Sequence, residues 1–394
     1  MPGFKLAKIK IIHPITRLIL GGAQQNTMET CAYLDQRRFE AQIIAGLETG
    51  AEGELLSEIR KRNIPVTIIP ELVRRPDPVK DFVALNKMVQ LFKAEQPHIV
   101  HTHSSKTGIL GRWAARFARV PVIVHTVHGW GHHDYQNFLV KNLYKFLERR
   151  TVGFTDKLIV VSHLNTLKGL RDTIGTEEKY ITIHSAINLD DFINPACDTV
   201  LLKRDLGIDP ERPVVGTIGR LSPQKNPIDF VKVAAQVKKV IPDAQFLFIG
   251  DGPLRSATEA LVKELGLAHD VFLPGLRTDI PALLSCMDVF MLTSLWEGLP
   301  RVIPQAMAMG LPVVANAVDG VCEVIEDGVN GFLMSPHAIS RMAEKIIELL
   351  ASANLRDEVG RQGRITAEKE FSVREMIKKI EDLYEALIKV KIKI

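Results

Sequence analysis

Between Glu297 and Gly331 the sequence reads EGLPRVIPQAMAMGLPVVANAVDGVCEVIEDGVNG, which sets a lone carboxylate on a Gly-Pro turn, then an apolar helix, then a buried strand. Gly298 lets the backbone come close to a ligand, and Pro300 suits a first helical turn, where its missing N–H is not needed. The first amides of such a helix carry partial positive charge and suit a phosphate. Glu297 would repel a phosphate, so its chemistry is to accept hydrogen bonds from sugar hydroxyls. Leu299 completes the turn, and Gln305, two helical turns further on, can reach a second part of the same ligand. The ligand so described is an anion carrying a sugar; a surface carboxylate before an ordinary amphipathic helix is the other reading.

These residues need elements to position them. Apolar runs that read as buried parallel strands recur at IKIIHPI, AQIIAG, VTIIP, HIVHTH, VIVHTVH and LIVVS, most of them separated by helical patterns such as 27–34 and 82–92. A second series, VVGTIG, FLFIGDG, VFLPG, VFMLTS and LPVVAN, alternates with helices such as 227–240 and 254–265. The expectation is two doubly wound α/β halves: 1–193, a polar and proline-punctuated linker at 194–213, 214–372, and a charged amphipathic helix over 373–394 that packs back on the first half. Ligands of open parallel sheets lie beyond the carboxyl ends of the strands, so two such sheets facing each other make one cleft. Further candidates follow strands: Gly21 and Gly22; His101, His103, Ser105 and Lys106; His128; and the pair Arg220 and Lys225.

A chain of 394 residues suits two domains, and 46% hydrophobic with 24% charged residues is a globular composition. The four cysteines, Cys31, Cys197, Cys286 and Cys322, show no metal-ligand spacing and fit a reducing cytoplasm. No apolar run reaches membrane-spanning length, and the first residues lack the apolar core of a secretory signal. Residues 1–180 carry 26 Lys and Arg against 17 Asp and Glu, and the remainder 24 against 29. A basic first half can meet anionic lipid or a phosphorylated acceptor, or be simply solvated. Within it, the segment from Phe138 to Arg150 sets Lys141, Lys145 and Arg149 at i, i+4, i+8 beside large apolar residues. That is a basic amphipathic helix, fit to lie on an anionic leaflet or to pack on the first sheet. With a net charge of +4 and no basic-aromatic platform, nucleic acid is a poor partner.

Taken together, GGAQQN, HTHSSKTGILGRWAAR, VHTVHGW, GTIGRLSPQKN, FIGDGPLR and EGLP with its downstream DGVNG resemble glycosyltransferase family 4 enzymes of the GT-B type, over nearly the whole chain. HTHSSK with the following GR and HTVHG is most similar to the subgroup that builds capsular polysaccharide, O-antigen and exopolysaccharide. The resemblance implies that Arg220 and Lys225 bind the donor diphosphate in place of a metal, so that neither metal nor cofactor is needed. It implies that Glu297 contacts the transferred sugar and that His128 lies beside the reacting sugar and the diphosphate. Gly21 and Gly22 form a flexible loop over the donor, and Arg277 belongs to the region that abuts the nucleobase, chiefly through its backbone. Where relatives carry a second carboxylate for the ribose hydroxyls, this chain has Gln305, whose amide can accept one hydrogen bond and donate another. His101, His103, Ser105 and Lys106 would line the acceptor pocket.

The expected activity is retaining, metal-independent transfer of a sugar from a nucleoside diphosphate sugar, UDP-sugar favoured, to a lipid-linked or polysaccharide acceptor. The expected location is the cytoplasm or the cytoplasmic membrane face. A nucleotide-sugar 2-epimerase, a soluble disaccharide or sugar-phosphate synthase, and a silent nucleotide-sugar binding subunit stay open as alternatives.

Overall fold

The computed structural model describes residues 8–47, 54–132, 136–193 and 195–392. The first sheet is built from β1 (Ile9–Arg17), β2 (Phe39–Gly46), β3 (Val66–Ile68), β4 (Ile99–His103), β5 (Val122–Val127), β6 (Lys157–Val160) and β7 (Tyr180–Thr182), in the spatial order β3-β2-β1-β4-β5-β6-β7. The second holds β8 (Val214–Ile218), β9 (Gln245–Ile249), β10 (Val271–Gly275), β11 (Val289–Leu292), β12 (Val313–Asn316) and β13 (Phe332–Met334), in the order β10-β9-β8-β11-β12-β13. Every pairing in both sheets is parallel. The reason is in the runs themselves: β-branched residues without alternation bury both faces of a strand, and helical crossovers supply the cover.

In the first sheet Ile12, Ile44, Val100 and Ile123 pack under Met88 and Phe92 on one side, while Ile15 and Ile43 pack against Met28 and Ile59 on the other. In the second, Phe230, Phe246, Phe248 and Val289 share one core. Strand order reverses between β1 and β4 in the first sheet and between β8 and β11 in the second. The loops leaving those pairs diverge and open a crevice at their carboxyl ends. Gly21, Arg220 and Glu297 follow these strands, and His103 is the last residue of β4.

The chain divides into two compact units, 1–185 with 373–394, and 186–372. This moves the boundary expected at 193, and the stretch 194–213 is no free linker. Asn194 lies outside the described residues; just before the stretch Ile187 donates to the Phe371 carbonyl at 2.9 Å and Phe192 is buried, and within it the helix Thr199–Asp205 belongs to the second unit, Ile208 is buried and the Asp209 N–H donates to the Gln245 side chain at 3.0 Å. Its polar composition hid scattered apolar anchors. The helix Val373–Ile392 belongs to the first unit as expected, burying Ile380, Leu383, Tyr384 and Ile388. Among the described residues no helix is long and apolar enough to cross a membrane.

Candidate functional site

In the second unit β8 ends at Ile218, and Gly219, Arg220 and Leu221 turn tightly under the loop after β9. Gly250 has φ of 138°, and a Cβ there would lie 2.1 Å from the Gly219 carbonyl oxygen, so only glycine fits. Leu221 donates to the Asp251 carbonyl at 3.1 Å. The loop then reaches Lys225, whose stem passes over Gly219, and Asn226 in left-handed conformation starts the helix Pro227–Val240. Thr293, just beyond β11, donates its hydroxyl to the Lys225 and Asn226 carbonyls, each at 3.0 Å, and so ties this loop to the neighbouring strand end.

That tie brings Lys225 to Glu297. The ammonium donates to the Glu297 carboxylate, with the two side chains 18% and 7% exposed. Asp319, after β12, accepts the Glu297 backbone N–H at 2.8 Å, and Gly320 donates to the Gly298 carbonyl at 3.1 Å, so the EGLP turn is held from a third strand end. Leu299 and Gln305 are buried. Pro300 is not in the first helical turn as expected: the helix runs from Val302 to Ala308, after a turn closed by the Ile303 N–H on the Pro300 carbonyl at 3.1 Å. With seven residues its dipole is a minor source of positive charge, and Arg220 and Lys225 carry that role. Arg277 spends its guanidinium on Asp279, at 2.8 and 2.5 Å, which leaves its backbone as the part able to meet a ligand.

In the first unit the strand ends gather histidines. His13 Nδ1 lies 3.0 Å from His103 Nε2, and His103 Nδ1 lies 3.1 Å from His128 Nε2. His13 and His103 are fully buried, while His128, just past β5, is half-buried. Burial holds the His13 ring down at about 3, and His101 and His103 well below the ordinary value of 6.5, lowered further by the neighbouring histidines. All three are therefore neutral imidazoles, of a kind that gives and accepts one hydrogen bond each.

Three expectations for this unit change. His101 does not line an open pocket: its ring is buried, with Nδ1 2.5 Å from the Tyr384 hydroxyl and Nε2 2.6 Å from the Thr126 hydroxyl. It anchors the C-terminal helix. Lys106 is equally engaged, donating to the Val73 and Arg75 carbonyls at 2.8 and 2.7 Å and pairing with Asp81. Ser105 begins the helix Ser105–Ala118 and stays partly exposed. Gly21 and Gly22 lie at a helix start and not in a free-standing loop: Gly21 caps and Gly22 opens the helix Gly22–Tyr33, with no side-chain cap.

The helix Phe138–Val152 forms as expected, but of its four basic residues, Lys141, Lys145, Arg149 and Arg150, two are engaged with Asp172. Lys145 bonds the Asp172 carboxylate at 2.5 Å and Arg149 the Asp172 carbonyl at 2.8 Å. Its exposed residues include an apolar set, Phe138 and Leu139, each 75% exposed, with Val140, Leu143 and Phe146, next to exposed Arg149 and Arg150. Among its inward residues, Glu148 pairs at 2.6 Å with Arg112, both buried.

His13, Tyr384, Thr293 and Asp319 are not legible as site residues from their local sequence. The one signal for His13 is a polar ring inside the apolar run of β1.

Residues 20–191 match the family model described as Glycosyltransferase Family 4, and residues 199–366 the one described as Glycosyl transferases group 1. The chain is 32% identical over 381 residues to the UDP-Gal:alpha-D-GlcNAc-diphosphoundecaprenol alpha-1,3-galactosyltransferase of Escherichia coli, covering 96% of this chain and 97% of that one. It is 28% identical over 362 residues to a D-inositol 3-phosphate glycosyltransferase of Mycobacterium sp. (strain KMS), covering 84% and 78%. Among solved structures, Anabaena Alr3699/HepE in complex with UDP and glucose superposes with a TM-score of 0.83 at 23% identity, over 96% of this chain and all of that one.

Proposed function

The chain belongs to glycosyltransferase family 4 and is a glycosyltransferase of the GT-B fold, and from that premise we propose that it moves a sugar from a UDP-sugar to a lipid-linked glycan acceptor, with retention and without a metal ion. The observation that carries the reading is the Lys225–Glu297 pair at the carboxyl ends of β8 and β11. It sets a cation for a diphosphate beside a carboxylate for sugar hydroxyls, at the switch point of a doubly wound sheet. Lys225 has three donors, so it can keep Glu297 and still bind a phosphoryl oxygen. Together with Arg220 it neutralises the departing diphosphate, and a donor of this kind is worth about 2.7–4 kcal/mol in the transition state. Gln305 serves the ribose diol, and His128 donates to charge that grows as the sugar–phosphate bond breaks.

In this reading the acceptor hydroxyl attacks the anomeric carbon from the face the diphosphate leaves. The new C–O bond forms as the bond to the diphosphate breaks, and a phosphate oxygen of the leaving group takes the hydroxyl proton, giving the glycoside and UDP. Retention rests on the family resemblance. The acceptor class rests on the full-length likeness to the Escherichia coli enzyme, whose name gives a diphosphoundecaprenol acceptor. The outward stripe Leu139, Leu143 and Phe146 supports peripheral seating on a membrane by apolar insertion, with surface charge secondary. A soluble, phosphorylated polyol acceptor is a second reading, favoured by the mycobacterial likeness; it gives that stripe no task.

Calorimetry with UDP, GDP and ADP, with and without EDTA, on wild type and Arg220→Ala tests the donor site. UDP should bind alone among the three, unaffected by EDTA, and at least ~10-fold more weakly in the variant, the loss of one charge-assisted contact. Absence of UDP binding, or its loss in EDTA, overturns the reading.

A further inference from the structure

The imidazoles of His13, His103 and His128 are joined end to end, Nδ1 to Nε2 at 3.0 Å and Nδ1 to Nε2 at 3.1 Å. A neutral imidazole has one N–H and one lone pair. His103 sits in the middle and must donate one bond and accept the other, so both bonds run in the same direction. Only two arrangements are open. Either His13 donates from Nδ1 to His103 and His103 donates from Nδ1 to His128, or both bonds are reversed.

The far end of the chain decides between them. His13 Nε2 is buried and has no hydrogen-bond partner among the described residues. In the reversed arrangement this atom carries the proton, as a buried N–H with nothing to donate to. In the forward arrangement it is a bare lone pair. Unpaired buried donors are the rarer and costlier of the two. From this geometry we propose that His13 and His103 are positioning residues that lock His128 in its Nδ1–H tautomer, with its Nε2 lone pair held by His103.

His101 does not disturb the lock. Its two nitrogens are taken by the Tyr384 and Thr126 hydroxyls, although its ring centre lies 4.4 Å from that of His103, tilted by 35°. For the same reason His13, His101 and His103, whose nitrogens lie close enough to suggest a cation site, do not form one as they stand. The lone pair of His103 is taken by the His13 N–H and that of His101 by one of its two hydroxyl partners, so of the three rings only His13, through Nε2, keeps a lone pair for a metal.

The consequence rests on the reading of His128 as the histidine beside the reacting sugar. An imidazole free to exchange tautomers presents a donor part of the time. One locked as Nδ1–H keeps its proton on the nitrogen that His103 does not hold, so the tautomer need not change during the reaction.

The test is the tautomer of His128 in protein labelled with ¹⁵N-histidine, read from two-bond ¹H–¹⁵N correlations and assigned by loss of the signal in His128→Gln. Wild type should show Nδ1–H. His13→Phe removes the donor at the head of the chain and should shift His128 towards Nε2–H, with a fall in kcat of about 10-fold and little change in KM for the UDP-sugar. His13→Gln, whose amide can donate to His103 Nε2, should restore both the tautomer and most of kcat. A wild-type His128 protonated at Nε2, or one unmoved by His13→Phe, overturns the proposal. The wild-type spectrum decides even if His13→Phe does not fold. Should His128 be locked as stated while His128→Ala turns over normally, the lock stands and the reading of His128 as the sugar-side residue fails.

Discussion

Glu297→Gln separates the two halves of the proposed donor site. In the wild type the carboxylate accepts from the Lys225 ammonium, and both groups are largely withdrawn from solvent. Two unit charges 4 Å apart at an effective dielectric of 20 attract by about 4 kcal/mol, and a hydrogen bond to a charged group keeps about 1.5–3 kcal/mol net. A glutamine is nearly isosteric and can still accept one bond from the ammonium, but it no longer neutralises it. About 1–2 kcal/mol of attraction is returned to any anion that approaches Lys225, so UDP should bind about 5- to 30-fold more tightly. Turnover should move the other way. The amide loses the charge-assisted bond to the transferred sugar, and a loss of about 2.7 kcal/mol in the transition state lowers kcat roughly 100-fold. Calorimetric Kd for UDP and steady-state kcat with a UDP-sugar measure the two effects on one preparation. In a cycle with Lys225→Met, the gain in UDP affinity should vanish, because it is carried by the lysine. UDP binding weakened in step with turnover would refute the reasoning, since it would put Glu297 on the nucleotide and not on the sugar. Unchanged kcat would reduce the pair to a structural contact.

Stability should fall with acid in the range set by the buried histidines. His13 has its folded value near 3 against 6.5 unfolded, because burial disfavours the cation. The folded state therefore resists protonation: this stability is complete above pH 6.5 and is lost as pH falls towards 3, at about 1.4 kcal/mol per pH unit. At about pH 5 the loss from His13 alone is ~2 kcal/mol, with His101 and His103 shifted the same way, so equal urea midpoints at about pH 7 and pH 5 would contradict it. Tyr384→Phe takes the hydroxyl from His101 Nδ1 in a buried site and should cost about 1–3 kcal/mol, seen as a drop of roughly 2–10 °C in the melting of the first unit. Glu148→Gln leaves the buried Arg112 without its counter-charge and should destabilise by about 3–5 kcal/mol, a penalty that denaturant titration would miss only if the pair were solvated. Leu143→Glu with Phe146→Glu should abolish sedimentation with phospholipid vesicles while leaving the melting temperature and UDP binding intact; vesicle binding that persists assigns the contact to another surface.

How much of this could be seen in the sequence depends on how local the cause is. Parallel strands show as uninterrupted β-branched runs because both faces of each are buried, and the two sheets follow directly from them. Lys225 and Glu297 show individually, because each ends a loop after such a run. Their partnership does not, since it is made by the adjacency of β8 and β11, with Thr293 tying one loop and Asp319 the other from β12. The errors share that cause. Lys106 and Lys145 look like free charges in sequence and are spent on a distant loop and on Asp172. The stretch 194–213 reads as a linker because Ile208 is an isolated apolar residue in it, buried in the second unit, and the Asp209 N–H is taken by Gln245, 36 residues on.

His13 is the sharpest case. As a residue it is one polar ring in IIHPI, and nothing within ten positions explains it. The parallel register that sets Ile11 beside Ile99 and Ile12 beside Val100 carries His13 to the level of His101, one step from His103. In the same register Thr102 faces His125 and His103 faces Thr126, which puts His128 just past the end of β5 within reach. Three histidines spread over 116 positions, 13 to 128, thus become one hydrogen-bonded row by strand pairing alone. The sheet reverses its order between β1 and β4, so the fold places this row at the carboxyl ends of the strands beside the point where a parallel sheet opens to a ligand. Backbone pairing that serves stability in the interior therefore also sets, at its last residues, which nitrogen of His128 carries the proton.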